Sequence, residues 1–465
     1  MFKSEYSKII FYLFILVGLI QAQNQDPSNL NMLFPEVITE LENEIRMEKF
    51  DRILPRVMRD NNIDMWIHII RSWIPDPLRF ELGSNSGVFI FTDYGGDRIE
   101  RIAFSNQLRD PTIYDKVIKE NTRDESIIGN AFRDGTPVEQ PGSQMELDIR
   151  FAGLQKLVIE RQPKNIAVNY MDDFSTASSS EFSPLTDGIS HKDYNLLIET
   201  LGKKYARRVK SAEYLIMDYL AGRVPMEIEL YKKFGVIAAE NLDREFNKVI
   251  PGITKLSELE GNVFLRVPDG REIHASDPDP YVLKRGDLFT ILHGAGDKIF
   301  HSDLGGNAYI LREGETELPA EIKEIWKHAM NVRKILQKHI KPGRTAGETL
   351  NLLIRKIEEA GYYYNPIDHY AEGVDPKKTQ IHLDCHAVGR SGLLGPRISP
   401  LGPDWVRNMK IPLLHTFTFE YMVHMPVSKW GIGKHLYIAF HDGAVVTEGG
   451  VVFPYPPDQG IRKIK

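Results

Sequence analysis

Five segments in the second half of the chain carry His, Asp and Glu in strand-like surroundings. They are IHASDPDPYVLKRGDLFTIL (273–292), KIFHSDLGG (298–306), LDCHAVGRSG (383–392), HTFTFEYMV (415–423) and AFHDGAVVTEGG (439–450). Imidazole and carboxylate are the donors that zinc, iron and manganese take from proteins, and the same groups move protons near neutral pH. Cys385 beside His386 offers a second chemistry, a thiol–imidazole pair. Neighbouring side chains on a strand point to opposite faces, which favours a buried structural cysteine over a nucleophile. His301 and His424 stand close to the same segments as further pocket or ligand candidates. No glycine fingerprint for nucleotides is present, and a net charge of −6 gives no electrostatic reason to expect nucleic acid.

Strands are needed to aim these side chains. NVFLRV (262–267), DLFTIL (287–292) and NAYIL (307–311) are short apolar runs, and 411–453 reads as successive strands. Helical patterns separate them. SAEYLIMDYLAGRV and MEIELYKKFGVIAAENLDREF are amphipathic, and 318–340 sets Ile322, Ile325, Ala329, Val332 and Leu336 on one stripe. Thr345 with Glu348 forms a capping box that opens the next helix. Residues 361–380 read as a surface loop, with YYYN (362–365) a loop or edge segment. Upstream, 36–62 looks helical, with Leu41, Ile45 and Phe50 on one stripe. MWIHII (65–70), GVFIF (87–91), RIERIAFS (98–105) and KNIAVNY (164–170) look like strands, and Ser190–Leu201 a helix closed by a glycine. The stretch 106–150 reads as loops plus a short helix. This alternation predicts a mixed α/β domain over 36–205 and a second domain over 206–465.

The first 22 residues have the pattern of a signal peptide: Lys3 and Lys8, an apolar run from Ile9 to Ile20, then Ala22 before a polar segment. The run is short for a bilayer span, which takes about 20 residues. Cleavage near Ala22 would make the protein secreted or periplasmic, with no membrane segment afterwards. Cys385 is the one cysteine, so no intrachain disulfide can form and the cores must suffice alone.

In order and spacing the five segments resemble the creatinase, methionine aminopeptidase and Xaa-Pro aminopeptidase family, the pita-bread metallopeptidases. The stretch VNY…DG…YNLLIETLGKKYARRVKSAEYLI is similar to the N-terminal domain of the Xaa-Pro aminopeptidase and creatinase branch, so the resemblance spans nearly the whole chain after the leader. It implies an α/β (α+β) fold, a creatinase-type N-terminal domain followed by a pita-bread domain. It also implies two Asp, one His and two Glu holding two divalent ions that polarise a shared water. Carried over residue by residue, FHSD supplies the second Asp as Asp303, HAVG the His as His386, and TFEYMV the first Glu as Glu420. The first Asp belongs 11 residues before the second, where Leu292 stands; a pocket His belongs 18 residues before that, where His274 stands. The last Glu falls on His441 of HDGAVVTE, and a further family His falls on Leu393.

The resemblance thus implies a two-metal scaffold with two of five ligands replaced. Asp303, His386, Glu420 and His441 are a sensible donor set for one divalent transition metal, zinc, manganese or iron. The same residues could instead form an empty, hydrogen-bonded pocket in which His441 offsets the charge of Glu420 and Asp303. His274 is then the catalytic candidate, and His274 with His424 the substrate-binding ones. Three readings stay open: a divergent homologue or pseudoenzyme, a single-metal aminopeptidase that cleaves ahead of proline, and a non-catalytic peptide or small-molecule binder. A peptide or small amide is the implied partner, and a homodimer the implied assembly.

Overall fold

MWIHII can leave neither face in water, and β1 (Met65–Ile70) is buried along its whole length. The structure is a computed structural model that describes residues 35–72, 74, 76–118, 153–172, 174, 188–296, 300–390 and 395–465. The leader, most of the 106–150 stretch and Leu393 lie outside the described residues. The chain forms two compact units, with Glu36–Leu220 in one and Ala221–Lys465 in the other.

The first unit is built on a six-stranded sheet. Its strands are β1, β2 (Gly87–Thr92), β3 (Glu100–Phe104), β4 (Lys116–Ile118), β5 (Ile166–Val168) and β6 (Val209–Ser211), in the order β4–β3–β2–β1–β5–β6. β1, β2 and β3 run antiparallel, while β5 and β6 continue parallel to β1. Ile67 and Ile69 of β1 face Leu154, Leu157, Leu197 and Leu201 from helices on one side. Trp66 points the other way, its ring 5.2 Å from Phe91, which in turn lies 5.5 Å from Phe50. The helical stretch at 36–62 is two helices, α1 (Pro35–Arg52) and α2 (Leu54–Asp60). Pro55 sits at the start of α2, where its missing N–H costs least. Two more helices are α3 (153–161) and α4 (His191–Ala206). Gly202 does take a positive φ of 66°, but as a kink from which helical backbone resumes to Ala206.

The second unit begins within α5 (Glu213–Ala221) and continues into α6 (Pro225–Asn247). One sheet holds β7 (Asn262–Arg266), β8 (Glu272–His274), β9 (Leu288–Gly296) and β10 (Phe300–Ile310). The other holds β11 (Tyr363–Tyr364), β12 (Gln380–Leu383), β14 (Thr416–Pro426), β15 (His435–Thr447) and β16 (Gly450–Val452). β13 (Gly389–Arg390) and β17 (Arg462–Ile464) both pair with β10. Outside the second sheet lie α7 (Ala320–His339) and α8 (Ala346–Glu359), the latter opened by the Thr345–Glu348 capping box. Ile325, Val332, Leu353 and Ile357 pack on Phe419, Tyr421, Val423 and Phe440. Each such burial is worth about 1.5–3 kcal/mol. On the first sheet's outer side, Phe246 of α6 lies 5.7 Å from Phe289.

With the odd residues of β14 committed to the helices, the period of two turns Glu420, Met422 and His424 toward the first sheet. There Phe264 and Leu292 meet Met422, Tyr437 and Ala439. Residues 361–380 are more ordered than a surface loop. YY pairs with β12 at the sheet edge, and buried Gln380 grips both backbone groups of Ala371 at 2.9 Å.

Candidate functional site

β14 and β15 place Glu420 directly opposite His441, and the imidazole Nε2 stands 3.0 Å from Glu420 Oε1. His386 arrives from the segment after β12. Its Nε2 lies 3.3 Å from Glu420 Oε2 and 3.8 Å from Asp303 Oδ2, while its Nδ1 bonds the Ala387 carbonyl at 3.1 Å. Asp303 comes from β10, on the facing sheet, and its Oδ2 accepts the Thr418 hydroxyl at 3.2 Å. Four of the residues named from the sequence therefore meet. Glu420 and His441 are only 7% and 6% exposed.

Burial alone would raise the Glu420 carboxyl, yet His441 and His386 hold it far below the usual carboxylate range. Burial alone would likewise lower both imidazoles. Glu420 and Asp303 prevail instead, lifting His386 and pushing His441 up to about 9. With its value above neutral, His441 carries the positive charge beside the Glu420 carboxylate.

Leu292 stands on β9 opposite Gly305. A Cβ built on Gly305 would lie 2.8 Å from Leu292 Cδ2 and 3.2 Å from His441 Cβ, so these two side chains close over the same glycine. Neither strand slips. β9 and β10 pair without interruption, with His293 opposite Leu304 on the other face. Asp442 is turned toward the helices, where Arg333 Nη2 holds it at 2.6 Å and the Asp458 N–H donates at 2.8 Å.

Solved structures similar to this chain include an X-Pro aminopeptidase from Thermotoga maritima MSB8 and an Xaa-Pro dipeptidase from Bacillus anthracis. The first has a TM-score of 0.51 and 16% identity over 88% of this chain and 100% of that one. The second has a TM-score of 0.51 and 16% identity over 90% of this chain and 100% of that one. This chain has the fold of the Xaa-Pro peptidases. No protein-family model matches the sequence, and no curated protein matches it.

Xaa-Pro peptidases of this fold are metal-dependent, so the donor set has to be tested against a metal. Each imidazole takes a different oxygen of Glu420, and the carboxylate stands between the two rings. Donors to one ion must instead converge on a common point about 2 Å from each. Among the described residues no group of three or more His, Cys, Asp or Glu is arranged to hold a metal ion. As placed, Asp303, His386, Glu420 and His441 fit an ion-paired cluster and do not fit a metal.

The other two named residues bond elsewhere. His274 ends β8, pairs with Glu272 and packs its ring 5.6 Å from Phe264. His424 is fully buried and bonds Asp368 at 2.9 Å. Cys385 is buried and donates to the Glu420 carbonyl at 3.3 Å, and burial pushes its thiol well above the ordinary range. Sequence reasoning missed Thr418, Tyr437, Arg266 and Asp368. The first carried a signal, since Thr418 lies two residues before Glu420 and shares its face. Tyr437 needed the β14–β15 register, and Asp368 sits in a loop with no pattern to flag it.

Proposed function

We propose that this chain is a peptide-binding homologue of the Xaa-Pro aminopeptidases that does not perform two-metal hydrolysis. Its site carboxylates are neutralised by imidazolium where the family resemblance implies a pair of cations. The observation that carries this reading is the direct His441–Glu420 contact at 3.0 Å, with Leu292 packed over Gly305 beside it. A carboxylate at position 292 and another at 441 would be needed to hold and bridge two ions; an aliphatic group and an imidazole stand there instead. The peptide class of ligand rests on the shared fold and on Asp303, whose side chain is 30% exposed and able to receive a peptide amino group. The leader pattern further supports export to a secreted or periplasmic location, and the fold a homodimer.

The test is metal content together with turnover. The purified protein is incubated with zinc, manganese or ferrous ion, desalted, and assayed by mass spectrometry of the elements and by release of the first residue from Xaa-Pro peptides. The expected result is no stoichiometric metal and no metal-dependent release. About one tightly held ion per chain, with release of the residue ahead of proline, would replace this reading by an active single-metal aminopeptidase.

A further inference from the structure

A second polar cluster lies on the same sheet face as Glu420 and His441. His424 of β14 and Tyr437 of β15 form a cross-strand pair four residues along from Glu420 and His441. At about 3.3 Å per residue the two pairs are about 13 Å apart. Met422, Ala439, Leu292 and Phe264 make the ground between them apolar.

The cluster converges on one carboxylate. Asp368 Oδ1 receives His424 Nε2 at 2.9 Å, and its Oδ2 receives Arg266 Nη2 at 2.6 Å and the Tyr437 hydroxyl at 3.3 Å. Arg266 Nη1 also holds the Asp368 carbonyl at 2.8 Å, and the guanidinium lies 4.0 Å over the Tyr437 ring. Glu272 braces the other side of Arg266. The donors and the acceptor differ in kind. Arg266, His424 and Tyr437 project from three strands and are buried, with side-chain exposure of 7% for Arg266 and 0% for His424. Asp368 belongs to the 365–372 loop, outside any helix or strand, and its side chain is 24% exposed. The loop is anchored at its ends by Asn365 and by Ala371, which Gln380 grips.

A guanidinium, an imidazole and a phenol fixed on strands around one carboxylate make a built anion socket. We propose that this socket binds the C-terminal carboxylate of a short peptide in exchange for Asp368, with the peptide's amino end at Asp303, beside the Glu420–His441 pair. The peptide class rests on the proposed function; the socket does not. An extended chain covers about 3.3–3.6 Å per residue, so a span of about 13 Å selects peptides of three to four residues. Asp368 is the intramolecular competitor. Its tether gives it an effective concentration in the millimolar range or above, which weakens every free carboxylate in the unaltered protein.

The test uses Asp368→Ala, Asp368→Asn and the unaltered protein with Ala-Pro-Ala, its C-terminal amide, and acetate. Calorimetry should show the free acid binding Asp368→Ala at least ten-fold tighter than it binds the unaltered protein, and at least ten-fold tighter than the amide binds the same variant. Acetate should raise the Tm of Asp368→Ala and leave that of the unaltered protein unchanged. If Asp368→Ala does not fold, Asp368→Asn, which keeps the shape without the charge, carries the same comparisons. Equal binding of acid and amide, or no binding of either, overturns the proposal, and so does rescue by acetate without discrimination between the peptides. Metal content, which decides the proposed function, does not enter these comparisons, so the two can fail separately.

Discussion

Replacing His441 with Leu isolates the contact on which the proposed function rests. Glu420, 7% exposed, would keep His386 at 3.3 Å and lose its 3.0 Å partner. Stripping one partner from a buried ion pair costs about 3–5 kcal/mol, because the remaining charge stays out of water. The titration gives a second figure for the same interaction, not to be added to the first. His441 is held at about 9 against an ordinary 6.5, and at about 1.4 kcal/mol per unit this is worth about 3 kcal/mol. The sign follows from the raised value. The folded protein binds this proton more tightly than the unfolded chain, so the stabilisation is complete below pH 6.5 and is lost as pH rises through 9. Urea unfolding of both proteins at pH 6.5, 8 and 10 measures it. The gap between them should be about 3 kcal/mol at pH 6.5 and should shrink toward pH 10. A gap that stays constant across that range, or one below about 1 kcal/mol at pH 6.5, would refute the charged-pair assignment.

Three further outcomes follow from other parts of the fold. Burial, helped by the Arg223 charge, holds the His415 imidazole down at about 3, and neither ring nitrogen has a well-formed hydrogen bond. Protons therefore favour the unfolded chain below pH 6.5, and the unaltered protein should lose about 2 kcal/mol more than His415→Leu between pH 7 and pH 5 in thermal or urea unfolding. A Cβ at Gly235 would fall 1.9 Å from the Tyr455 ring, so Gly235→Ala should destabilise by about 2 kcal/mol or more, and adding Tyr455→Ala should recover part of it. The double variant Leu292→Asp, His441→Glu should acquire metal in elemental analysis where neither single variant does; failure of the double variant would count against the register drawn for β9 and β15.

What the sequence made legible was whatever repeats with a fixed period. The stripe from Ile322 to Leu336 is the buried side of α7, and the alternation along TFTFEYMVH sets Glu420 and His424 on one face. Counting back from Asp303 led to Leu292 and the HDGAVVTE pattern led to His441, and these three side chains share one region because β9 pairs with β10 and β14 with β15 without bulges. Long-range contacts without a period were invisible. Asp368 bonds Arg266 across 102 residues and His424 across 56, from a loop that read as surface. Nor does composition reveal that glycines on α6 and β15 leave the slot filled by Tyr455, since each was acceptable on its own element. The break at Ile53 was missed because amphipathic spacing continues across it, and the helix beyond Gly202 because a glycine there reads as a helix end.

The salt bridge from Arg333 to Asp442 has a bearing on descent. By anchoring Asp442 among the helices it fixes which neighbour looks inward, so no sliding of the strand can bring an acid to the corner now held by His441. On the proposed reading, holding two metal ions would take mutations on two separate sheets. Each intermediate carries a cost: a lone Glu at 441 would face Glu420 across the ladder, and a lone Asp at 292 would be buried against Phe264 and Met422. Substitutions made one at a time therefore meet a ridge in both directions on the way to a two-metal site.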